Sequence, residues 1–329
     1  MNEFPISKIA GTGFAVPDKI LTNQDLEKIV DTSDEWITSR TGIKTRHIVS
    51  DDVENSDLCV EASKKALDEA GVRNEDIDVI IVATVTGDVN FPATACYVQE
   101  KLGAVNAAAF DVMAACSGFI YGLNIGNGLF IANNVQNVIV IGSETLTRIT
   151  NWEDRNTCVL FGDGAGAAVL QPSTGDKGIL ATYMKSDGRL SYLLMNPGHN
   201  PIKEYFDHEG KKMLPVINMQ GREVFKYAVR SMEEAMYKVL ERGNVSINDV
   251  DLLITHQANI RIIDTLAERT GINREKVYIN VDRYGNTSAA SVPIALDEAR
   301  KKGLLPEGSL CLMTVFGGGF TWGAVLVRF

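Results

Sequence analysis

The sequence predicts an α/β protein built from two similar halves, and three observations lead there. Short β-rich runs alternate with longer amphipathic helical stretches along the 329 residues. Asp76-Ile-Asp-Val-Ile-Ile-Val82 matches Asp249-Val-Asp-Leu-Leu-Ile-Thr255, 173 positions later. Each copy follows a helical pattern (Ala62 to Ala70, and Met232 to Arg242) that stops at a glycine, Gly71 or Gly243.

The remaining elements follow in order. Asp111-Val-Met-Ala-Ala-Cys-Ser-Gly-Phe119 reads as a buried strand running into a helix. Val135 to Gly142 and Ser309 to Val315 read as further buried strands. Glu100-Lys-Leu-Gly103 resembles Glu268-Arg-Thr-Gly271, and Gly166-Ala-Ala-Val-Leu170 resembles Gly323-Ala-Val-Leu-Val327. The offset between copies falls along the chain, which places an extra segment in the first half at Thr145 to Cys158. Gly188 to Pro215 has weak periodicity and reads as a loop insertion in the second half. Turn chemistry at Gln171-Pro-Ser-Thr-Gly175 sets the boundary, giving halves 1–172 and 173–329. Gly162-Asp-Gly-Ala-Gly-Ala167 leads into a strand rather than opening a helix, so it reads as a turn and not a nucleotide loop.

Composition narrows the function. A net charge of −10 argues against nucleic acid as the main partner. Four histidines and five cysteines (Cys59, Cys96, Cys116, Cys158, Cys311) show no metal-ligand spacing and no CxxC pair. Free thiols in a cytoplasmic setting are expected, with no metal. The N-terminus lacks a basic stretch before an apolar run, so no signal peptide is expected. Apolar runs such as Val79 to Val85 are too short to span a bilayer, so no membrane insertion is expected.

Three residues stand out as chemistry. Cys116 sits at a strand-to-helix junction, where the dipole and free N–H groups of a helix start favour the thiolate. A small cysteine filling a core gap fits the same position. His256 follows the strand Leu252 to Thr255, where the first copy has Ala83. A hydrogen-bonded structural histidine is its plain alternative. Asn286 lies in Tyr284-Gly-Asn-Thr-Ser-Ala-Ala290 and could simply cap a helix. Laying the halves together puts Ala115-Cys116-Ser117-Gly118 opposite Gly285-Asn286-Thr287-Ser288. All three residues then fall just past strands, where sites in such folds are built.

Longer motifs carry a resemblance. Ala114-Ala-Cys-Ser-Gly-Phe119, His256-Gln-Ala-Asn259, Gly285-Asn-Thr-Ser-Ala-Ala290, Phe316-Gly-Gly-Gly-Phe-Thr-Trp-Gly323 and Asp31-Thr-Ser-Asp-Glu-Trp-Ile-Thr-Ser-Arg-Thr-Gly42 resemble β-ketoacyl-ACP synthase III, over nearly the whole chain. The resemblance implies a thiolase-like duplicated fold of five layers, α-β-α-β-α, usually dimeric. It implies that Cys116 takes an acyl group from acyl-CoA. Malonyl-ACP then loses carbon dioxide and its carbanion attacks the acyl-enzyme, giving the 3-oxoacyl-ACP that initiates fatty-acid synthesis. A thiolate suits this because it both attacks and leaves well. His256 Nε2–H and the Asn286 amide would stabilise the enolate, at about 3–4 kcal/mol each. The N–H groups of Cys116 and Gly318 would form the other oxyanion hole. No metal, flavin or other cofactor is implied; acyl-CoA is a substrate.

Binding roles follow from the same resemblance. Trp36 stacks on the CoA adenine with Arg155, and Thr32 and Arg40 assist. Gly221, Arg222, Phe225, Ala258 and Asn259 lie along the CoA path. Thr32 and Glu35 read as a capping box for the helix carrying Trp36 and Arg40. Arg222, Lys226 and Arg230 share one helix face, either a solvated stripe or a landing site for an acidic carrier protein. Lys226, Arg261 and Arg269 are the carrier-protein candidates. Phe91 matches a residue that reaches across the family dimer to the acyl pocket; packing within its own loop is the alternative.

Competing classes fit less well. A papain-like hydrolase also uses Cys, His and Asn, but its Cys-Gly-Ser-Cys-Trp type motif is absent. A thiolase needs a second cysteine near Phe316-Gly-Gly-Gly-Phe320, and elongating synthases use two histidines where Asn286 holds the second place. A CoA-primed enzyme of polyketide or other specialised metabolism is the runner-up. A non-catalytic scaffold would show no acylation of Cys116.

Overall fold

Two five-stranded sheets, one from each half, carry the architecture of the computed structural model, which describes residues 6–132, 135–173, 175–198, 204–206, 210 and 212–329. The first half runs β1 (Ser7–Ala15), β2 (Ile20–Thr22), α1 (Asn23–Leu26), α2 (Asp34–Thr41), β3 (Thr45–His47) and α3 (Asn55–Ala70). It continues with β4 (Val79–Ala83), α4 (Thr94–Leu102), β5 (Ala108–Val112), α5 (Gly118–Ala132), β6 (Val138–Thr145) and β7 (Asp163–Pro172). The second half opens with β8 (Gly178–Ser186), β9 (Leu194–Met195), β10 (Asn218–Met219), α6 (Gly221–Gly243), β11 (Leu252–Thr255) and α7 (Ile260–Thr270). Then come β12 (Val277–Tyr278), α8 (Val281–Tyr284), α9 (Ser291–Lys301), β13 (Leu310–Gly317) and β14 (Thr321–Arg328).

The first sheet has the order β1-β7-β6-β4-β5, and the second, read from its other edge, β8-β14-β13-β11-β12. In both, the last two pairs of that order are parallel and the first two antiparallel. β4 and β6 are buried along their whole length, which explains the unbroken apolar sequence of β4 and of the first half of β6, Val138 to Ile141. α3 covers the outer face of the first sheet, and α6 and α7 cover the second. α5 and α9 lie between the sheets, where Phe119, Ile120, Leu123, Val292 and Leu296 meet strands of both. The layering is therefore α-β-α-β-α.

Ala115–Ala132 is long and apolar enough to cross a membrane by length and composition, although no single unbroken apolar run is. The fold spends that hydrophobicity on the central layer. Gly118, Gly122 and Gly126 recur every four residues along α5. A methyl on them would come within 2.8 Å of Ala83 Cβ, 2.7 Å of Val140 Cγ1 and 2.9 Å of Leu170 Cδ1, so the glycines let the helix close onto the first sheet.

Two expectations are corrected here. Short 3-10 turns at Ala115–Ser117 and Ser288–Ala290 each feed a central helix. Each opens on a non-glycine residue at positive φ, 45° at Ala115 and 49° at Ser288. These positions lie 173 apart, the offset already seen between Asp76 and Asp249. The counterpart of Cys116 is therefore Ala289, and Asn286 stands three residues ahead of that place. Backbone shape repeats here while residue type does not, which misaligned the halves by three. The second correction concerns α2, whose N-cap is Ser33, accepting Trp36 N–H at 3.1 Å. Thr32 lies one residue outside, so the expected box with Glu35 does not form.

The insertions are partly ordered. Between β6 and β7 the chain makes a 3-10 turn, Leu146–Ile149, and then irregular coil. In the Gly188 to Pro215 segment, a 3-10 turn (Gly188–Leu193) leads into β9, which pairs with β10. Residues 199–203, 207–209 and 211 of that insertion lie outside the described residues.

Candidate active site

Cys116 lies on the turn between β5 and α5, on the wall of a cleft of about 1870 Å³. Thr321 clamps that turn, donating from Oγ1 to Ala114 C=O at 2.9 Å and accepting Ser117 Oγ–H at its carbonyl at 3.0 Å. Gly317 presses on it so closely that a Cβ there would stand 2.7 Å from Cys116 N. Burial pushes the thiol up to about 12, against the pull of the Ser288 hydroxyl and of its own N–H and with the push of the Glu144 charge. The expected thiolate-favouring junction is thus overridden: removing the sulfur from water outweighs the local N–H groups.

His256 sits directly past β11, its N–H bonded to Thr314 C=O at 2.8 Å. The imidazole is buried, and burial lowers it to about 4, so it is neutral at neutral pH. Its Nδ1 is 2.7 Å from Ser291 Oγ, which also accepts Gln257 N–H at 3.4 Å. A Ser291 hydroxyl donating to Nδ1 would leave the ring proton on Nε2.

Asn286 is fixed at three points. Its N–H donates to Leu160 C=O at 2.8 Å and its C=O accepts Gly162 N–H at 3.1 Å. Its Oδ1 accepts Ser288 N–H at 2.9 Å, which leaves the Nδ2 donors as the free end. Both side chains line the cleft with Cys116 and Gly318. The arrangement offers one thiol, a neutral imidazole and a side-chain amide, the last two tied at their other ends.

Sequence reasoning missed the residues that do the tying. Ser291 and Ser288 read as small helix-start residues. Glu144 is fully buried between Ser143 and Thr145 at the polar end of β6, and a charge in that wholly buried strand was its signal. Among the described residues no group of three His, Cys, Asp or Glu side chains could hold a metal.

The cleft leads outward past Ala258, Asn259, Phe225, Gly221, Arg222 and Arg261 to Trp36 and Arg40. Arg40 and Arg155 both stack on the Trp36 ring, at 4.8 and 4.9 Å from its centroid. Arg155 is also tied to Asp31 C=O at 2.8 Å. Thr32 Oγ1 is buried without a partner. Asn259 caps α7 through Oδ1, accepting Arg261 N–H at 2.8 Å. Lys226 is exposed on α6, and Arg261 lies over Phe225 beside it at 6.0 Å. Arg269 does not join them as a free charge, because it is paired with Glu233. Phe91 is 85% exposed, so it does not pack within its own loop; Met113 and Val105 are also exposed, at 80% and 77%.

Known proteins agree with this geometry. Residues 110–188 match the family model described as 3-Oxoacyl-[acyl-carrier-protein (ACP)] synthase III, and residues 240–329 match the model of its C-terminal part. A β-ketoacyl-[acyl-carrier-protein] synthase III of Caldanaerobacter subterraneus subsp. tengcongensis is 55% identical over 322 residues, covering 97% of each chain. The crystal structure of 3-oxoacyl-[acyl-carrier-protein] synthase III from Aquifex aeolicus superposes with a TM-score of 0.90 at 52% identity, covering 98% of this chain and all of that one. The priming β-ketosynthase of the R1128 polyketide pathway gives 0.90 at 33% identity, covering 100% of this chain and 98% of its own. The chain belongs to the β-ketoacyl-[acyl-carrier-protein] synthase III family of acyl-transferring condensing enzymes.

Proposed function

We propose that Cys116 accepts an acyl group from acyl-CoA and that His256 and Asn286 drive its decarboxylative condensation with malonyl-ACP, giving a 3-oxoacyl-ACP and carbon dioxide. The observation that carries this reading is the pair of pre-oriented donors facing one thiol in a single cleft. The Cys116 sulfur attacks the acyl-CoA carbonyl, and the N–H groups of Cys116 and Gly318 receive the oxyanion. CoA leaves, and malonyl-ACP enters. Loss of carbon dioxide puts negative charge on its thioester oxygen, where His256 Nε2–H and Asn286 Nδ2–H donate. Donors fixed beforehand cost no reorganisation when that charge develops. The resulting carbanion attacks the acyl-cysteine, and the thiolate departs. No step needs a metal or flavin.

Incubation with acyl-CoA followed by intact-mass measurement tests the first half. A Cys116 acyl adduct that malonyl-ACP consumes is expected. No adduct across short, branched and medium chains would sink the reading.

The cleft mouth fits CoA, with Trp36 flanked by two guanidinium groups and the Thr32 hydroxyl unpaired. Trp36→Ala is expected to raise KM for acyl-CoA about 10-fold, through loss of roughly 1.4 kcal/mol of ring stacking. An unchanged KM would place the adenine elsewhere. Lys226, Arg222 and Arg261 form the carrier-protein landing face, with paired Arg269 at its edge. Exposed Phe91 fits a homodimer in which the partner's copy closes the acyl pocket. The five unpaired cysteines suit the cytoplasm. Priming of a polyketide chain is the second reading, favoured by the likeness to the R1128 synthase; turnover with fatty-acid carrier protein against a polyketide carrier separates the two.

A further inference from the structure

Arg46 of β3 is fully buried, and its guanidinium is held wholly by neutral oxygens. Nη1 donates to Leu21 C=O at 3.2 Å and to Asn23 Oδ1 at 3.0 Å. Nη2 donates to the same Asn23 Oδ1 at 3.0 Å and to Val159 C=O at 2.9 Å. Nε is buried without a partner. Among the described residues no carboxylate pairs with this cation. Burial lowers it to about 10, which still leaves the charge in place at neutral pH. Taking an unpaired cation out of water costs free energy that an apolar side chain of similar volume would not. What the charge supplies is a rigid fork of strong, directed hydrogen bonds.

That fork reaches the strip on which Asn286 rests. Val159, gripped by Nη2, directly precedes Leu160, whose C=O accepts Asn286 N–H at 2.8 Å. Gly162 N–H donates back to Asn286 C=O at 3.1 Å, so Phe161 and Asn286 face each other in a short parallel bridge. The arginine stem lies against this bridge. A Cβ on Gly162 would stand 3.0 Å from Arg46 Cβ, and one on Gly285 3.3 Å from it. Both strands of the bridge thus carry a glycine where they meet Arg46. The residues before Arg46 hold the same stretch: Lys44 N–H donates to Asp282 C=O at 2.9 Å and Thr45 Oγ1 to Arg283 C=O at 2.8 Å. Asn23 is fixed in turn, its Nδ2 donating to Asp34 Oδ1 at 2.7 Å and Ile43 C=O at 2.8 Å. The oxygen that the fork grips therefore cannot drift.

We propose that Arg46 is a positioning residue for Asn286, acting through the Val159 carbonyl to hold the bridge that sets where Nδ2–H points into the cleft. The inference rests on the reading of Asn286 as a donor in decarboxylation. The Asn286 side chain has a single tie, at Oδ1, so the direction of Nδ2 follows its backbone. No bond forms or breaks at Arg46. Its influence falls on condensation and spares acyl loading, because the Cys116 turn is clamped by Thr321 and Gly317, which lie outside the Arg46 network. Lysine at this place keeps the charge but has one ammonium where the guanidinium spans Asn23 and Val159.

The test is a pair of single-turnover measurements at saturating acyl-CoA: acyl loading of Cys116 by quenched intact mass, and carbon dioxide release from malonyl-ACP. Wild type, Arg46→Lys, Asn286→Ala and the double variant are compared. Arg46→Lys is expected to slow carbon dioxide release about 10-fold and loading by less than about 2-fold, in line with a donor displaced by under about 1 Å. Asn286→Ala is expected to slow release about 100-fold. In that background Arg46→Lys should add less than about 2-fold, because two residues acting through one donor are not additive. Loading at the wild-type rate also shows that a variant is folded. Should Arg46→Lys fail to fold, Asn23→Ser takes its place, since the serine hydroxyl is too short to reach the fork, and the same split between release and loading is expected. Equal losses in the two half-reactions, an undiminished loss on top of Asn286→Ala, or wild-type release in Arg46→Lys would overturn the proposal. Wild-type release in Asn286→Ala would instead overturn the reading of Asn286 as a donor, and this role of Arg46 with it.

Discussion

His256→Ala is expected to slow decarboxylation of malonyl-ACP about 100- to 1,000-fold, the usual loss for one oxyanion donor. Acyl transfer onto Cys116 should fall far less. The asymmetry follows from where charge develops. In the proposed mechanism the loading oxyanion would lie with the N–H groups of Cys116 and Gly318, which the substitution leaves in place. The thioester oxygen of the decarboxylation step would have only His256 and Asn286 Nδ2–H, and half of that pair is gone. The neutral ring matters as well. Burial holds His256 near 4, so the neutral form is present above that value and is lost as pH falls through it. Condensation should therefore show no limb from His256 between about pH 6 and 8, because the titration of a group held near 4 is complete well below that range. Separate assays of acyl-enzyme formation and of carbon dioxide release decide the matter. Equal losses in the two half-reactions would reject this division of labour.

Much of this site was legible in the sequence because strands and helices carry their periodicity openly. The apolar run ending at Thr255 places His256 past a strand, and the offset of 173 pairs it with Ala83. Cys116 was legible as a residue but not as an acid. A helix start argues for a low thiol pKa, yet the decisive quantity is how much water the fold removes from the sulfur, which no local pattern contains. The register between the halves failed for a related reason. Cys-Ser-Gly and Asn-Thr-Ser look alike as small polar runs, whereas the true equivalence is the left-handed backbone at Ala115 and Ser288. Ser291 was silent because its partner His256 lies 35 positions away, and Ser288 because the Glu144 carboxylate it bonds lies 144 positions away. The sequence names the reacting atoms better than the atoms that hold them.

Gly142→Ala shows how tightly those holding atoms are packed, and it is the second large effect expected. Gly142 lies in β6, between Ala83 of β4 and Gly166 of β7. A methyl there would stand 2.2 Å from Ala289 O and 2.7 Å from Ala289 C. Both are backbone atoms of the turn Ser288–Ala290, so no side chain can swing aside to make room. Destabilisation of about 3 kcal/mol is expected, at the upper end for overpacking. The damage should not stop at stability. That turn supplies the Ser288 N–H that pins Asn286 Oδ1 and the Ser288 Oγ that bonds Glu144, and it leads into Ser291, which orients His256. Pushing it outward disturbs both enolate donors and the thiol's neighbour together. Turnover should therefore fall by more than 10-fold even at temperatures where the variant is fully folded, since misplacement of about 1 Å can cost 100-fold. Denaturant midpoints and folded-state turnover measure the two effects separately. A variant that lost stability but kept its turnover would mean that the turn yields without moving Asn286 or His256, and that the donors are held from elsewhere.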